Sequence, residues 1–175
     1  MVVRLDAGRE AVRAYVEGEA AKGLRHVLSL VRADNERVLG LIDGLTEAQA
    51  NATTPADEWS VAQVMRHLAS TLDRSRARLE ALSAGKPFVN PAVAPGSAAG
   101  REYESFDGLR RAYREGMAGI LGVLERADER RGLELTAEHA QFGPFNWPQW
   151  AVYSHHVHAH DQIGQLEKIT GALRA

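Results

Sequence analysis

Three observations predict an all-α fold, a four-helix bundle with one or two long crossover connections. Apolar residues recur at three- and four-residue spacing through four long stretches, polar capping patterns open two of them, and no stretch alternates with period two far enough to build a sheet. A chain of 175 residues with an ordinary apolar fraction fits one domain spanning residues 1–175, with residues 1–22 as an extra helix or extension.

The first stretch runs from roughly Ala11 to Leu45 as a long helix that Gly23 can break, and Leu24, Leu28, Val31, Val38, Ile42 and Leu45 form its apolar stripe. Asn35 falls within this stripe, where a hydrogen-bonded core amide is the expectation and a pocket-lining group the alternative. Thr46-Glu47-Ala48-Gln49 predicts a short capped turn, and Thr53-Thr54-Pro55 breaks the chain. Ser60 with Gln63 forms a capping box, after which Val61, Val64, Leu68, Leu72, Leu79 and Leu82 carry the second helix to about Ser83.

Gly85 to Gly100 contains Pro87, Pro91 and Pro95 and is read as a crossover. The third helix, about Ser105 to Ala127, turns Phe106, Leu109, Tyr113, Ile120 and Leu124 inward, and Gly132 to Phe145 forms a second irregular connection. Asn146 with Gln149 caps the fourth helix, which tolerates Pro148 in its first turn and runs to about Leu173.

The net charge of −2, with both signs interspersed, offers no basic stripe, so neither nucleic acid nor a membrane surface is an expected partner. Without cysteine there is no disulfide, thiolate ligand or cysteine nucleophile, and no apolar run is long enough to span a bilayer. A cytoplasmic protein with a small-molecule partner is the expectation. Any metal chemistry must use nitrogen and oxygen donors.

Four of the seven histidines fall within Tyr153-Ser154-His155-His156-Val157-His158-Ala159-His160, and His67 lies two turns into the second helix. At about 100° per residue, Leu166, Ile169 and Leu173 define the buried face of the last helix, which His158 and Gln162 share. His155 also points inward, whereas His156 and His160 fall on the side of Glu167, toward solvent or the bundle edge. A metal site in a bundle needs ligands from facing helices, and His67 with His158 supplies two, with Gln162 or His155 as the third. Alternatively, these are satisfied core histidines, or His156 and His160 capture an ion at the helix edge. Trp59, Trp147 and Trp150 are read as staples at the bundle ends, Asp161 as an imidazole-orienting carboxylate or a solvated charge, and His26 and His139 as surface or loop groups.

The runs Leu45-Thr46-Glu47-Ala48-Gln49 and Trp59-Ser60-Val61-Ala62-Gln63-Val64-Met65-Arg66-His67-Leu68, with Phe142-Gly143-Pro144-Phe145-Asn146-Trp147 and Gln165-Leu166-Glu167-Lys168-Ile169, resemble the DinB-like superfamily over about Leu24 to Ile169. The resemblance implies a bundle holding a divalent ion, often nickel, zinc or iron, on three histidines from helices two and four. It also implies a thiol-dependent activity, such as S-transfer with bacillithiol or mycothiol or a mycothiol-dependent maleylpyruvate isomerisation, and a homodimer. Registered on Gln165-Leu166, the ligand positions become His67, His158 and Gln162. The family's second helix-four histidine is thus a glutamine here, a weaker donor, and low metal occupancy follows. The alternative is a metal-free bundle that binds a small ligand or serves as a dimeric interaction protein.

Overall fold

A computed structural model describes residues 2–89 and 105–174. The predicted first helix is two: α1 (Arg9–Ala20) and α2 (Leu24–Ile42). Gly23 separates them at φ +94°, a conformation that a side chain would strain. The short α3 (Glu47–Asn51) and the long α4 (Val61–Ser83) each start at a complete capping box, Thr46 with Gln49 and Ser60 with Gln63. α5 (Phe106–Arg126) follows, then a two-stranded antiparallel hairpin of β1 (Ala137–His139) and β2 (Gly143–Phe145). The hairpin occupies the second connection, which the sequence reads as irregular, because three-residue strands are too short to show alternation.

The chain ends in one helical run: α6 (Trp147–Val152), a π turn (Tyr153–Val157) and α7 (His158–Arg174). A third capping box, Asn146 with Gln149, opens it.

α2, α4, α5 and α7 form the bundle. α4 packs against α5 and α7, and α2 packs against the same two. Phe106 N donates to Glu47 Oε2 at 2.7 Å and Arg110 reaches the Ile42 carbonyl, which sets the start of α5 beside the end of α2. α5 therefore runs antiparallel to α2 and parallel to α4. Of the crossover predicted over Gly85–Gly100, residues 90–100 lie outside the described residues. α4 and α5 approach closely because Gly116 faces Leu72: a Cβ there would meet Leu72 Cδ1 at 2.5 Å.

The core takes Val31, Val38 and Ile42 from α2, Met65, Leu68, Leu72, Leu79 and Leu82 from α4, Leu109, Tyr113, Ile120 and Leu124 from α5, and Ile163, Leu166 and Ile169 from α7. Val27 is buried, while Leu24 and Leu28 are only partly so. The buried stripe of α2 is thus Val27, Val31, Asp34, Val38 and Ile42, with a carboxylate in its middle. α1 lies outside the four-helix ring, against α2 and α6. Arg13 of α1 donates to the Phe142 carbonyl at 2.8 Å and ties it to the hairpin. Among the described residues no helix is long and apolar enough to cross a membrane.

Candidate functional site

The π turn governs where the histidines point. Its i→i+5 hydrogen bonding widens one turn of the helix, a feature often found at functional sites. Three imidazole-bearing positions reach different neighbours: His155 reaches Ser75 of α4, His156 reaches α2 and α1, and His158 reaches His67, about two turns nearer the start of α4.

His158 meets His67 as the two-helix argument expects. Their Nε2 atoms lie 3.2 Å apart, with ring centroids at 5.2 Å and planes tilted by 57°. Two nitrogens this close share one proton at most, so one donates and the other accepts. Burial lowers the pKa of His67. Burial first, then the neighbouring His67 and His139, push His158 down to about 4. Both rings are therefore neutral near pH 7, the state in which imidazole is a ligand.

Gln162 sits one turn after His158 on the same face of α7. Its Oε1 is buried without a hydrogen-bond partner among the described residues. A buried amide oxygen with no partner costs on the order of 1–3 kcal/mol and calls for one. Two neutral imidazole nitrogens and an unsatisfied amide oxygen fit a divalent ion as donors. They do so thinly, for no three His, Cys, Asp or Glu side chains among the described residues converge to hold one.

Trp59, next to the start of α4, reaches this pair of histidines from that end of the bundle. Its indole is 38% exposed and meets the His67 ring edge-on at 5.8 Å. Asp57 anchors the backbone of Trp59, for Asp57 Oδ1 accepts from Trp59 N at 3.0 Å and from Gln165 Nε2 at 2.8 Å. Those two bonds, that to Trp59 first, lower the Asp57 pKa. Trp147 and Trp150 do act as staples, donating to the carbonyls of Arg131 and Ala137.

His155 is buried with Nε2 2.7 Å from Ser75 Oγ, and burial above all drives its pKa to about 3. That nitrogen is spoken for by Ser75.

His156 does not look toward solvent. It is 4% exposed, its Nδ1–H donates to Asp34 Oδ2 at 2.5 Å, and its Nε2 lies 3.0 Å from the Tyr15 hydroxyl. The side of the run that carries Glu167 farther along is covered here by α1, which supplies Tyr15. His160, half-buried, has Nδ1 3.8 Å from Asp34 Oδ1. Its Nδ1 is buried without a hydrogen-bond partner among the described residues. Asp34 is thus a carboxylate that orients an imidazole, one of the two roles, with a solvated charge, that the sequence reading leaves open for Asp161. Asp161 makes no hydrogen bond to an imidazole among the described residues. The signal for Asp34 is its place in the apolar stripe of α2.

His26 pairs with Glu19 at 2.6 Å. His139 is no bare loop group: its Nδ1 accepts from the amides of Gln141 and Phe142, and its ring contacts Phe142, Phe145, Trp150 and Tyr153. Burial and, less, Arg78 lower its pKa. Asn35 lines a water-sized hole beside Tyr113 and His155, and its Oδ1 has no partner among the described residues.

Beside the paired histidines opens a cavity of about 420 Å³ between α4, β1 and the terminal helical run. His158 forms part of its wall, with Arg74, Ser75, Arg78, Trp150 and Tyr153. The Arg78 guanidinium lies 3.6 Å from the centroid of the Trp150 ring.

No curated protein and no solved structure matches this chain. The sequence profile of the DinB superfamily matches residues 30–164, from the second turn of α2 to the middle of α7. That interval contains His67, His158 and Gln162 and draws on all four bundle helices, and on it the chain belongs to the DinB superfamily.

Proposed function

We propose that the chain is a divalent-metal-binding protein that handles a small thiol, with His67, His158 and Gln162 as the donor set. The single observation that carries this reading is the 3.2 Å approach of the His67 and His158 Nε2 atoms, two neutral rings from facing helices aimed at one point. The buried, unpartnered oxygen of Gln162 supports it. A divalent cation held by three neutral donors would keep its full charge and open positions, and would favour the thiolate of a bound thiol at neutral pH.

The chain's own residues supply the rest. Trp59 covers the outer edge of His67 and limits water there. Asp57, itself held by Gln165, accepts from the Trp59 backbone amide and anchors the chain from which that indole projects. The neighbouring cavity, with His158 in its wall, is the space for the thiol and its electrophilic partner. S-transfer is the activity that these parts support best.

Calorimetric titration of tag-free, EDTA-treated protein with Ni²⁺ and Zn²⁺ tests the donor set. One ion per chain is expected, with binding lost in His67→Ala. Gln162→His should tighten it at least about tenfold, imidazole being the stronger donor. A wild-type protein that takes up neither ion, or that binds equally well as His67→Ala, would overturn the reading and leave the metal-free binding bundle. With Co²⁺ in place of nickel, a sulfur-to-metal charge-transfer band on adding 2-mercaptoethanol checks the thiol step.

A further inference from the structure

The hairpin presents a histidine whose tautomer the backbone fixes. His139 Nδ1 accepts from the amides of Gln141 and Phe142 at 3.1 and 3.2 Å, so that nitrogen carries no proton. A neutral imidazole then keeps its one proton on Nε2, whereas a charged ring would set its own N–H against two others. Burial and the nearby Arg78 act in the same direction and lower the pKa of the ring. Phe142 stacks on one face at 4.9 Å, and the Tyr153 ring meets the histidine edge-on at 4.5 Å. His139 and Tyr153 both line the cavity beside His158. Neither the Nε2–H of the one nor the hydroxyl of the other has a hydrogen-bond partner among the described residues. Burial first, then Asp161, raise the pKa of Tyr153, so its hydroxyl also keeps its proton near pH 7.

We propose that His139 and Tyr153 form a two-donor site for the carbonyl oxygen of a small, largely apolar molecule that enters this cavity. A carbonyl oxygen fits two neutral donors, because it has two lone pairs and no proton of its own. A hydroxyl or an amine would bring a further donor to a place already supplied with two. With ring centroids 4.5 Å apart, the donors lie on one patch of wall, within the width of one small molecule. Both are in place before any ligand arrives, His139 through the hairpin amides and Tyr153 through its position in the π turn. Donors fixed in advance need little rearrangement when they meet the oxygen. Ala140 and the rings of Trp150 and Tyr153 supply apolar wall, and about 420 Å³ is room for a small aromatic molecule. The donor site stands on the hairpin and the π turn alone; that its carbonyl belongs to the electrophile of an S-transfer rests on the function proposed above.

Acetophenone and ethylbenzene share a body and differ in the carbonyl, so the pair tests the site in EDTA-treated protein by ligand-observed NMR titration. The ratio of acetophenone to ethylbenzene affinity should fall about fivefold in Tyr153→Phe, the worth of one ordinary neutral hydrogen bond. That variant keeps the ring and its packing. The histidine is read in the wild-type chain, where no substitution disturbs the hairpin. Long-range proton–nitrogen correlation spectra of isotopically labelled protein should show His139 with its proton on Nε2. Acetophenone, but not ethylbenzene, should shift that Nε2 signal. An unchanged ratio in Tyr153→Phe, a proton on His139 Nδ1, equal shifts with both probes, or no binding of acetophenone at millimolar concentration would overturn the proposal. Because no metal is present, such a failure leaves the metal-thiol reading standing. Carbonyl-selective binding in a protein that takes up neither Ni²⁺ nor Zn²⁺ would keep this site and remove that reading.

Discussion

Acid should destabilise this fold through His155 well before its carboxylates titrate. The ring is 4% exposed and burial drives its pKa from the ordinary 6.5 to about 3. In the unfolded chain the same ring protonates near 6.5, so between pH 6.5 and 3 the unfolded state binds more protons and stability falls as pH falls. The full contribution is present above about pH 6.5. At pH 5 the unfolded ring is almost wholly charged and the folded one almost wholly neutral, which costs about 1.4 kcal/mol per pH unit, or about 2 kcal/mol in all. For a domain of this size that lowers Tm by about 4–8 °C. Thermal melts by circular dichroism from about pH 8 to about pH 4.5 provide the measurement, compared with His155→Gln, which keeps a polar group for Ser75. The variant is expected to be less stable at the alkaline end but to lose less Tm on acidification. The slope is the readout, so a marginal variant remains informative. Parallel slopes in the two proteins would show that His155 does not carry the linkage and that its burial costs less than its surroundings imply.

Asp34→Ala leaves the buried Nδ1–H of His156 without its acceptor and should cost about 2–4 kcal/mol by urea unfolding; a loss below about 1 kcal/mol would mean that water replaces the carboxylate. Tyr15→Phe removes only the hydroxyl at 3.0 Å from His156 Nε2, on a ring that is itself half-buried, and about 0.5–1.5 kcal/mol is expected in the same assay. Gly132→Ala and Gly44→Ala form a matched pair, with φ +70° and +71°, but a Cβ at 132 would meet the Leu82 carbonyl oxygen at 1.9 Å and one at 44 would meet nothing. Strain alone predicts about 1–2 kcal/mol for Gly44→Ala, and the backbone clash predicts clearly more for Gly132→Ala, so equal losses would count against so close an approach of residue 132 to the end of α4. Trp59→Ala should weaken metal binding if the indole shields His67, with thermal stability changed little because the ring is 38% exposed.

Which features are legible in the sequence follows from what is local. The three capping boxes, at Thr46, Ser60 and Asn146, depend on residues three apart, and all three form with the helix starts they predict. The pairing of His67 with His158 is legible because α7 is regular after the π turn, so counting from Leu166 holds back to residue 158. Before that point the count still places His155 inward but fails for its neighbour. His156 lies in the π turn, and its side of the run is buried by α1, a helix whose position depends on contacts with the hairpin and α6 that no periodicity encodes. Asp34 escapes a reading of the sequence for another reason: Asn35 is the more conspicuous polar residue in the stripe, yet the burial phase set by Val27, Val31, Val38 and Ile42 selects position 34. The hairpin and the cavity arise from tertiary contacts of short segments, and neither leaves a period.

The terminal helical run gives its histidines different tasks by geometry alone. Replacing one α turn with a π turn sends His155 and His156 to opposite neighbours, Ser75 and Asp34, just before the run delivers His158 to His67. Both anchors are buried, and each would cost on the order of 1–3 kcal/mol to leave unmade, so together they resist rotation of the run about its axis. A one-residue slip would turn the inward face by about 100° and carry His158 away from His67 and Gln162 away from its present face. The residues that hold the run in register are therefore the ones that make a two-histidine approach possible with a glutamine in the third position. Strengthening that position by Gln162→His presupposes the register, whereas disrupting Asp34 attacks it, and metal affinity should rise in the first case and fall in the second.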